Sequence, residues 1–250
     1  MSGYSLAVYA AADAEARRLE AQAALIRRIE VPHYSRAGLW GAQRILDVGA
    51  GTGAPAQVLR SFGPEVVGVD LDANALSRMS GQRARAGVHQ LPFPSGAFDA
   101  SYARLVLQHV PDPTAALREM SRVVAPGGLV LVVDTDVSGF VSDPVLPTVA
   151  EGRRRWMERT RARGAMPDIG RHLSERMQEA GLESVEVHCT MVTSFRLGRD
   201  TFGRMLLDTH YRADPDPEFV RRGSREIEQW LASSRSFGSA PLFIAWGRVP

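Results

Sequence analysis

The chain has 250 residues, 44% of them apolar and 23% charged, with a net charge of +2. Those proportions are ordinary for a soluble globular chain, and no stretch approaches the ~20 apolar residues needed to span a bilayer. All 30 basic residues are arginine, and Cys189 is the single cysteine, which excludes Schiff-base and pyridoxal enzymes, Walker-lysine NTPases, internal disulfides and multi-thiolate metal sites. The N-terminus carries no secretory signal, so a cytoplasmic location is expected. Six scattered histidines show no metal-ligand spacing, and no basic patch interleaved with aromatics suggests nucleic acid.

The first thirty residues place Leu19, Ala23, Ile26 and Ile29 at helical spacing, predicting one or two amphipathic helices that end before Val31-Pro32. Ile45 to Val48 reads as a short buried strand, followed by the turn Gly49-Ala50-Gly51-Thr52-Gly53 and a helix from Pro55 to Phe62. Glu65 to Asp70 is a second strand, Asn74 to Arg85 a polar helix, and Val88 to Gln90 a stub of strand. Phe98 to Ala103 is a further strand and Pro113 to Val124 a helix, with Pro126-Gly127-Gly128 stopping the chain. Leu129 to Asp134 is a continuous apolar strand of the kind buried on both faces of a parallel sheet. This rhythm predicts a doubly wound α/β sheet. Beyond it come Asp143 to Pro147 and the basic run Arg153 to Arg155. A helix follows at Arg171 to Ala180 and a strand at Ser184 to Ser194. Asp200 to Arg235 reads as helical around a break at Asp214 to Pro217, and Leu242 to Arg248 as a last strand.

The glycine turn lets a ligand touch bare backbone beside a helix N-terminus. Alone it is a loose signal that also permits a dinucleotide. Asp70, ending the next strand, suits the two ribose hydroxyls of a nucleoside. Asp47, placed at the pocket mouth, repels a pyrophosphate but suits an ammonium or sulfonium. The expected ligand is therefore an adenosine-like nucleoside with a cationic tail.

Four segments, ILDVGAGTG (45–53), VVGVDLD (66–72), LPFPSGAFD (91–99) and VVAPGGLVLVVD (123–134), resemble class I S-adenosylmethionine-dependent methyltransferases, closely over 44–134. Tyr4-Ser5-Leu6 with Glu15, Arg18-Leu19 and Gln22 is similar to the N-terminal helix of a small-molecule branch, as is the segment Arg104 to Pro113. The resemblance implies a Rossmann-like, mixed seven-stranded sheet: an N-terminal helical lid at 1–43, a cofactor core at 44–134, and substrate-capping insertions at 135–170 and 195–240. It also implies roles. Gly49, Ala50, Gly51 and Gly53 pass along the methionine part of S-adenosylmethionine, Asp47 meets its amino group, Asp70 holds the ribose and Leu71 lies on the adenine. Tyr4, Arg18 and Gln22 close over the cofactor, and the backbone from Ala103 through Arg104 to Leu105 lines the methyl end. Where relatives place an aspartate for the adenine amino group, this chain has Gly87. Either backbone groups at Val88 together with His89 read that edge, or affinity is lower.

The implied activity is methyl transfer to an oxygen, nitrogen or carbon of a small organic molecule, as in natural-product pathways. The alternatives are a protein that keeps the cofactor but does not methylate, as a cyclase or binder would, and a nicotinamide-dependent reductase. His109 and His210 are the candidate general bases, against a packing role for His109. Asp134 and Asp136, at the carboxyl edge, either orient substrate or cap the chain. Phe140, Trp156, Met157 and Met166 are either substrate wall or core, Trp230 and Trp246 core, and His172 and His188 structural. The oligomeric state stays open; a homodimer is compatible.

Overall fold

The computed structural model describes residues 25–250; Tyr4, Arg18 and Gln22, and the helical readings before residue 25, lie outside the described residues. Eight strands form one sheet in the order β3-β2-β1-β4-β5-β8-β6, with β7 pairing β8. They are β1 (Arg44–Val48), β2 (Glu65–Asp70), β3 (Arg83–Arg85), β4 (Phe98–Arg104), β5 (Val124–Thr135), β6 (Val141–Asp143), β7 (Glu183–Thr193) and β8 (Phe237–Arg248). The first five run parallel, whereas β8 runs antiparallel to β5, β6 and β7. The strand beyond the expected seven is β6, a three-residue addition inside the first insertion.

Both faces of the sheet are covered, which is why its central strands read as unbroken apolar runs. Ile45, Ala100, Tyr102, Leu131 and Val133 pack in one apolar cluster, and Leu46, Val48, Ala103, Val130 and Val132 in the other. The two-residue period therefore puts Asp47, Tyr102 and Arg104 on the first face. Register completes the arrangement: Val48 lies opposite both Val69 and Ala103. The glycine turn, Asp70 and Arg104 thus emerge side by side at the carboxyl edge, where the strand order reverses.

Several expectations need correction. The N-terminal helix does not stop before Val31. A π-helical turn, Ile26–Glu30, runs into α1 (Val31–Ala37), and the Val31 N–H bonds the Ile26 carbonyl. Pro32, which lacks an N–H, sits in the first turn of α1, where that loss is harmless; Gly38 at φ 77° ends the helix. His33 therefore lies on a helix, its ring 5.3 Å from His188, which stacks at 4.8 Å on Trp246. The polar helix read over 74–85 is only α3 (Ala73–Ser77), after α2 (Ala54–Arg60), and it gives way through Gly81 (φ 85°) to β3. Residues 88–90 form a turn instead of a strand. Pro126-Gly127-Gly128 does not stop β5 either: pairing with β4 shifts register across it, and the Gly127 N–H bonds the Val249 carbonyl at 2.8 Å.

Helix α4 (Pro113–Arg122) precedes β5; beyond β5 come α5 (Pro147–Arg161), α6 (Leu173–Glu179) and, after β7 and several short helical segments, α7 (Pro217–Ala232). Between 199 and 213 the chain is a short helix, a π turn (Gly203–Leu207) and a 3-10 turn (Tyr211–Ala213) instead of one long helix. Trp230 and Trp246 are buried core residues, as read. No helix of the described residues is long and apolar enough to cross a membrane.

Candidate active site

A cavity of about 770 Å³ opens at the carboxyl edge, within the usual range for small-molecule sites. Its floor is the glycine turn. Gly49 (φ 71°), Gly51 (φ 55°) and Gly53 (φ 86°) all take left-handed backbone. At Gly49 a side chain would also collide with Val106, its Cβ falling 2.4 Å from a Val106 methyl, whereas a Cβ at Gly51 would meet nothing within 4 Å. Gly51 is therefore bare toward the cavity. Gly53 is not on the wall; a Cβ there would strike Met79.

Two carboxylates flank the turn. Asp70 lines the cavity, one oxygen accepting from the Gly51 N–H and the other from the Asp72 N–H, each at 2.8 Å. A carboxylate has about four acceptor sites, so two remain for a ligand. Asp72, not Asp70, caps the following helix, accepting from the Asn74 and Ala75 N–H groups. Beside Asp70, Leu71 is 49% exposed, an apolar side chain left uncovered on the cavity wall. Asp47 does not stand at the mouth as expected. It is 1% exposed, behind the lining, and neither oxygen has a hydrogen-bond partner among the described residues. Burial, then the neighbouring Asp70, push its carboxyl up to about 8, with Arg60, Arg104 and the nearby Ala56 N–H, which falls short of hydrogen-bond geometry, offsetting only part.

Arg104 and Leu105 line the cavity, while Ala103 is wholly buried beneath it. Leu105 is held left-handed at φ 56°, its N–H bonded to the Val133 carbonyl at 2.7 Å, a strain of about 1–3 kcal/mol that the surrounding sheet maintains. Arg104 grips Glu30 through three contacts of 2.8–3.1 Å. The Tyr34 hydroxyl donates to Glu30 at 2.6 Å and lies 2.7 Å from the Tyr102 hydroxyl. Glu30, fully buried, escaped the sequence reading because a glutamate on an amphipathic helix looks solvated, and its partner lies 74 residues away. The adenine-edge candidates Gly87, Val88 and His89 all reach the wall, with His89 Nε2 3.2 Å from the Asp112 carbonyl.

The far end of the cavity is built by the two insertions, with Phe140, Trp156 and Arg163 from the first and Met205, His210 and Arg212 from the second. His109 and His210 both line it, flanking Trp156: ring centroids lie 5.9 Å and 4.5 Å from the indole. Burial and Arg163 lower His109 to about 4; burial, Arg153 and His109 lower His210 to about 3. Both imidazoles are neutral at pH 7. Other candidates fall elsewhere. Asp134 is fully buried and accepts from the Thr135 and Gln108 N–H groups at 2.9 and 3.2 Å. Asp136 caps its own turn and pairs with Arg171. Met157 is buried, Met166 packs against the second apolar cluster, and His172 lies 3.8 Å from Glu175. None of these five touches the cavity.

The family profile described as a methyltransferase domain matches residues 46–132. Methyltransferase str3 of Strobilurus tenacellus is 30% identical over 189 residues, covering 70% of this chain and 68% of that protein. The chain belongs to the class I S-adenosylmethionine-dependent methyltransferases. Methyltransferase GfsG of Streptomyces halstedii is 34% identical over 131 residues, 48% of this chain and 47% of that one, so the chain spans about half the length of that curated relative. Among solved structures, phosphoethanolamine N-methyltransferase 2 of Haemonchus contortus with S-adenosyl-L-methionine shares the fold. Its TM-score is 0.57 at 20% identity, over 83% of this chain and 49% of that one.

The residues of this methyltransferase fit the family's cofactor. Asp47 is a buried carboxyl whose oxygens meet no donor within hydrogen-bond geometry, and an ammonium group supplies such donors. Asp70 has acceptor capacity for a diol, Leu71 offers an uncovered apolar face, and Gly51 leaves backbone open to contact. Among the described residues no cluster of three or more His, Cys, Asp or Glu is arranged to hold a metal ion.

Proposed function

We propose that the methyltransferase transfers a methyl group from S-adenosylmethionine to an oxygen, nitrogen or carbon of a small organic molecule of the kind made in secondary metabolism. The observation that carries this reading is the continuity of the cavity. One space runs from the glycine turn, Asp70 and Leu71, past Arg104 and Leu105, to the aromatic chamber of Phe140, Trp156, His109 and His210. It offers a nucleoside-binding end and an acceptor end that share one wall.

When bound, the cofactor supplies an electrophilic methyl group on a sulfonium. Asp70 would hold the ribose diol, Leu71 the adenine face, and the backbone of Gly49 to Gly51 the methionine portion, with Asp47 matching its ammonium. Val88 and His89 border the adenine edge, and Tyr4, Arg18 and Gln22 would close over the cofactor. Leu105, locked by its backbone bond, forms the partition beside which the acceptor must stand for in-line attack. His109 and His210 line the acceptor end as neutral imidazoles. Bases of pKa near 4 and 3 orient an acceptor's proton better than they remove it.

Incubation with methyl-labelled S-adenosylmethionine and a panel of phenols, amines and quinones tests the assignment. The expected result is label in at least one acceptor. Tight cofactor binding with no transfer across the panel would instead favour a cofactor-binding protein that does not methylate.

A further inference from the structure

Arg153, Arg154 and Arg155 adjoin in sequence but part company in space. Arg154 pairs with Glu151 and Glu158, and Arg155 with Glu151 and Asp214. Farther along α5, Arg159 meets Asp214 and Arg161 meets Asp168. Arg153 has no such carboxylate among the described residues. Its guanidinium carbon lies 5.9 Å from the centre of the Phe140 ring, and its charge acts on His210. Arg163, exposed on the turn after α5, lines the cavity and acts on His109, again with no acidic partner among the described residues. The third cation at this end, Arg212, is neutralised by Asp208 at 2.6 Å.

The carboxylates on the described cavity wall, Asp70 and Asp72, both stand at the nucleoside end. The acceptor end therefore combines an aromatic, apolar lining with one arginine on the wall, Arg163, and one beside it, Arg153, neither with an acidic partner among the described residues. Cations beside a low-dielectric wall are stabilised by an anion brought to them. Building on the methyl-transfer reading, we propose that the acceptor is an organic anion, an apolar or aromatic body bearing one ionised oxygen group. Arg163 contacts that group at the rim, and Arg153 adds its field from behind Phe140 and His210.

The test is calorimetric titration of 2-naphthoate and its neutral isostere 2-naphthamide, into protein with and without saturating S-adenosylhomocysteine. The acid should bind about tenfold more tightly than the amide. Arg163→Gln and Arg153→Gln should each weaken the acid several-fold and leave the amide unchanged, and the double variant should bind the two equally. With wild-type protein, raising salt from about 50 to about 500 mM should shrink the preference, since the rim charge is screened, a reading independent of any variant's folding. Equal or tighter binding of the amide, binding of neither probe, or a preference surviving in the double variant would overturn the inference. S-adenosylhomocysteine affinity is read in the same cell. Its loss would count against the cofactor assignment, whereas its presence without an acid preference would count against the anionic acceptor alone.

Discussion

Asp47 concentrates the electrostatics of the cofactor end in one side chain. Its carboxyl, raised to about 8 from an ordinary 3.8, holds a proton in the folded protein at pH 7 that the unfolded chain has released. The sign follows: this group's contribution to stability is full below about 4 and is lost as pH rises to about 8, levelling beyond. A cationic group placed against it reverses the preference and expels the proton. Cofactor binding at pH 7 should therefore release on the order of one proton, seen as a difference in calorimetric heat between phosphate and Tris buffers. Asp47→Asn should abolish that difference; a wild-type heat independent of buffer would mean that Asp47 is already ionised. The histidines behave oppositely. Lowered to about 4 and 3 from 6.5, they weaken the folded state as pH falls below about 6.5, where the unfolded chain takes up protons that they refuse. Across pH 6–8 they stay neutral, so kcat/KM for methyl transfer should show no acid limb from either; a limb near 6.5 lost in His109→Gln would refute this.

The helix that carries Glu30 and the strand that carries Arg104 are joined by a buried ion pair that also borders the cavity. Removing one partner leaves an uncompensated buried charge, which costs about 3–5 kcal/mol. Glu30→Gln and Arg104→Met should each lower unfolding free energy by an amount of that order, measured by urea denaturation, and the double variant should lose far less than their sum. Additive losses would show that the two do not act as a pair. What was legible at this scale follows from chemistry. β1, β2, β4 and the apolar half of β5 announce themselves because burial on both faces demands unbroken apolar runs. The glycine turn is legible because its backbone angles require glycine. β3 was not: Arg83-Ala84-Arg85 has no apolar pattern, and only its pairing with Gly68 to Asp70 makes it a strand. The early half of β8 was hidden by Gly238 and Pro241, which mimic a turn. Arg153 could not be told from Arg154 and Arg155, since the acids that separate them come from elsewhere on α5 and from Asp214.

At the scale of the whole molecule, the sheet fixes one end of the cavity and the insertions build the other, and segments at a sheet edge can differ without disturbing the scaffold beneath them. The family and the glycine-turn end of the cavity could be read from contiguous motifs. The far end could not, because Phe140, Trp156, Arg163 and His210 converge only through tertiary packing. Asp70 and the bare turn beside it are proposed to hold a nucleoside. Titration of S-adenosylhomocysteine into wild-type protein and Asp70→Ala, with circular dichroism confirming that both fold, reads that role. Loss of two charge-assisted hydrogen bonds should weaken binding about a hundredfold or more; undiminished affinity in the variant would refute it.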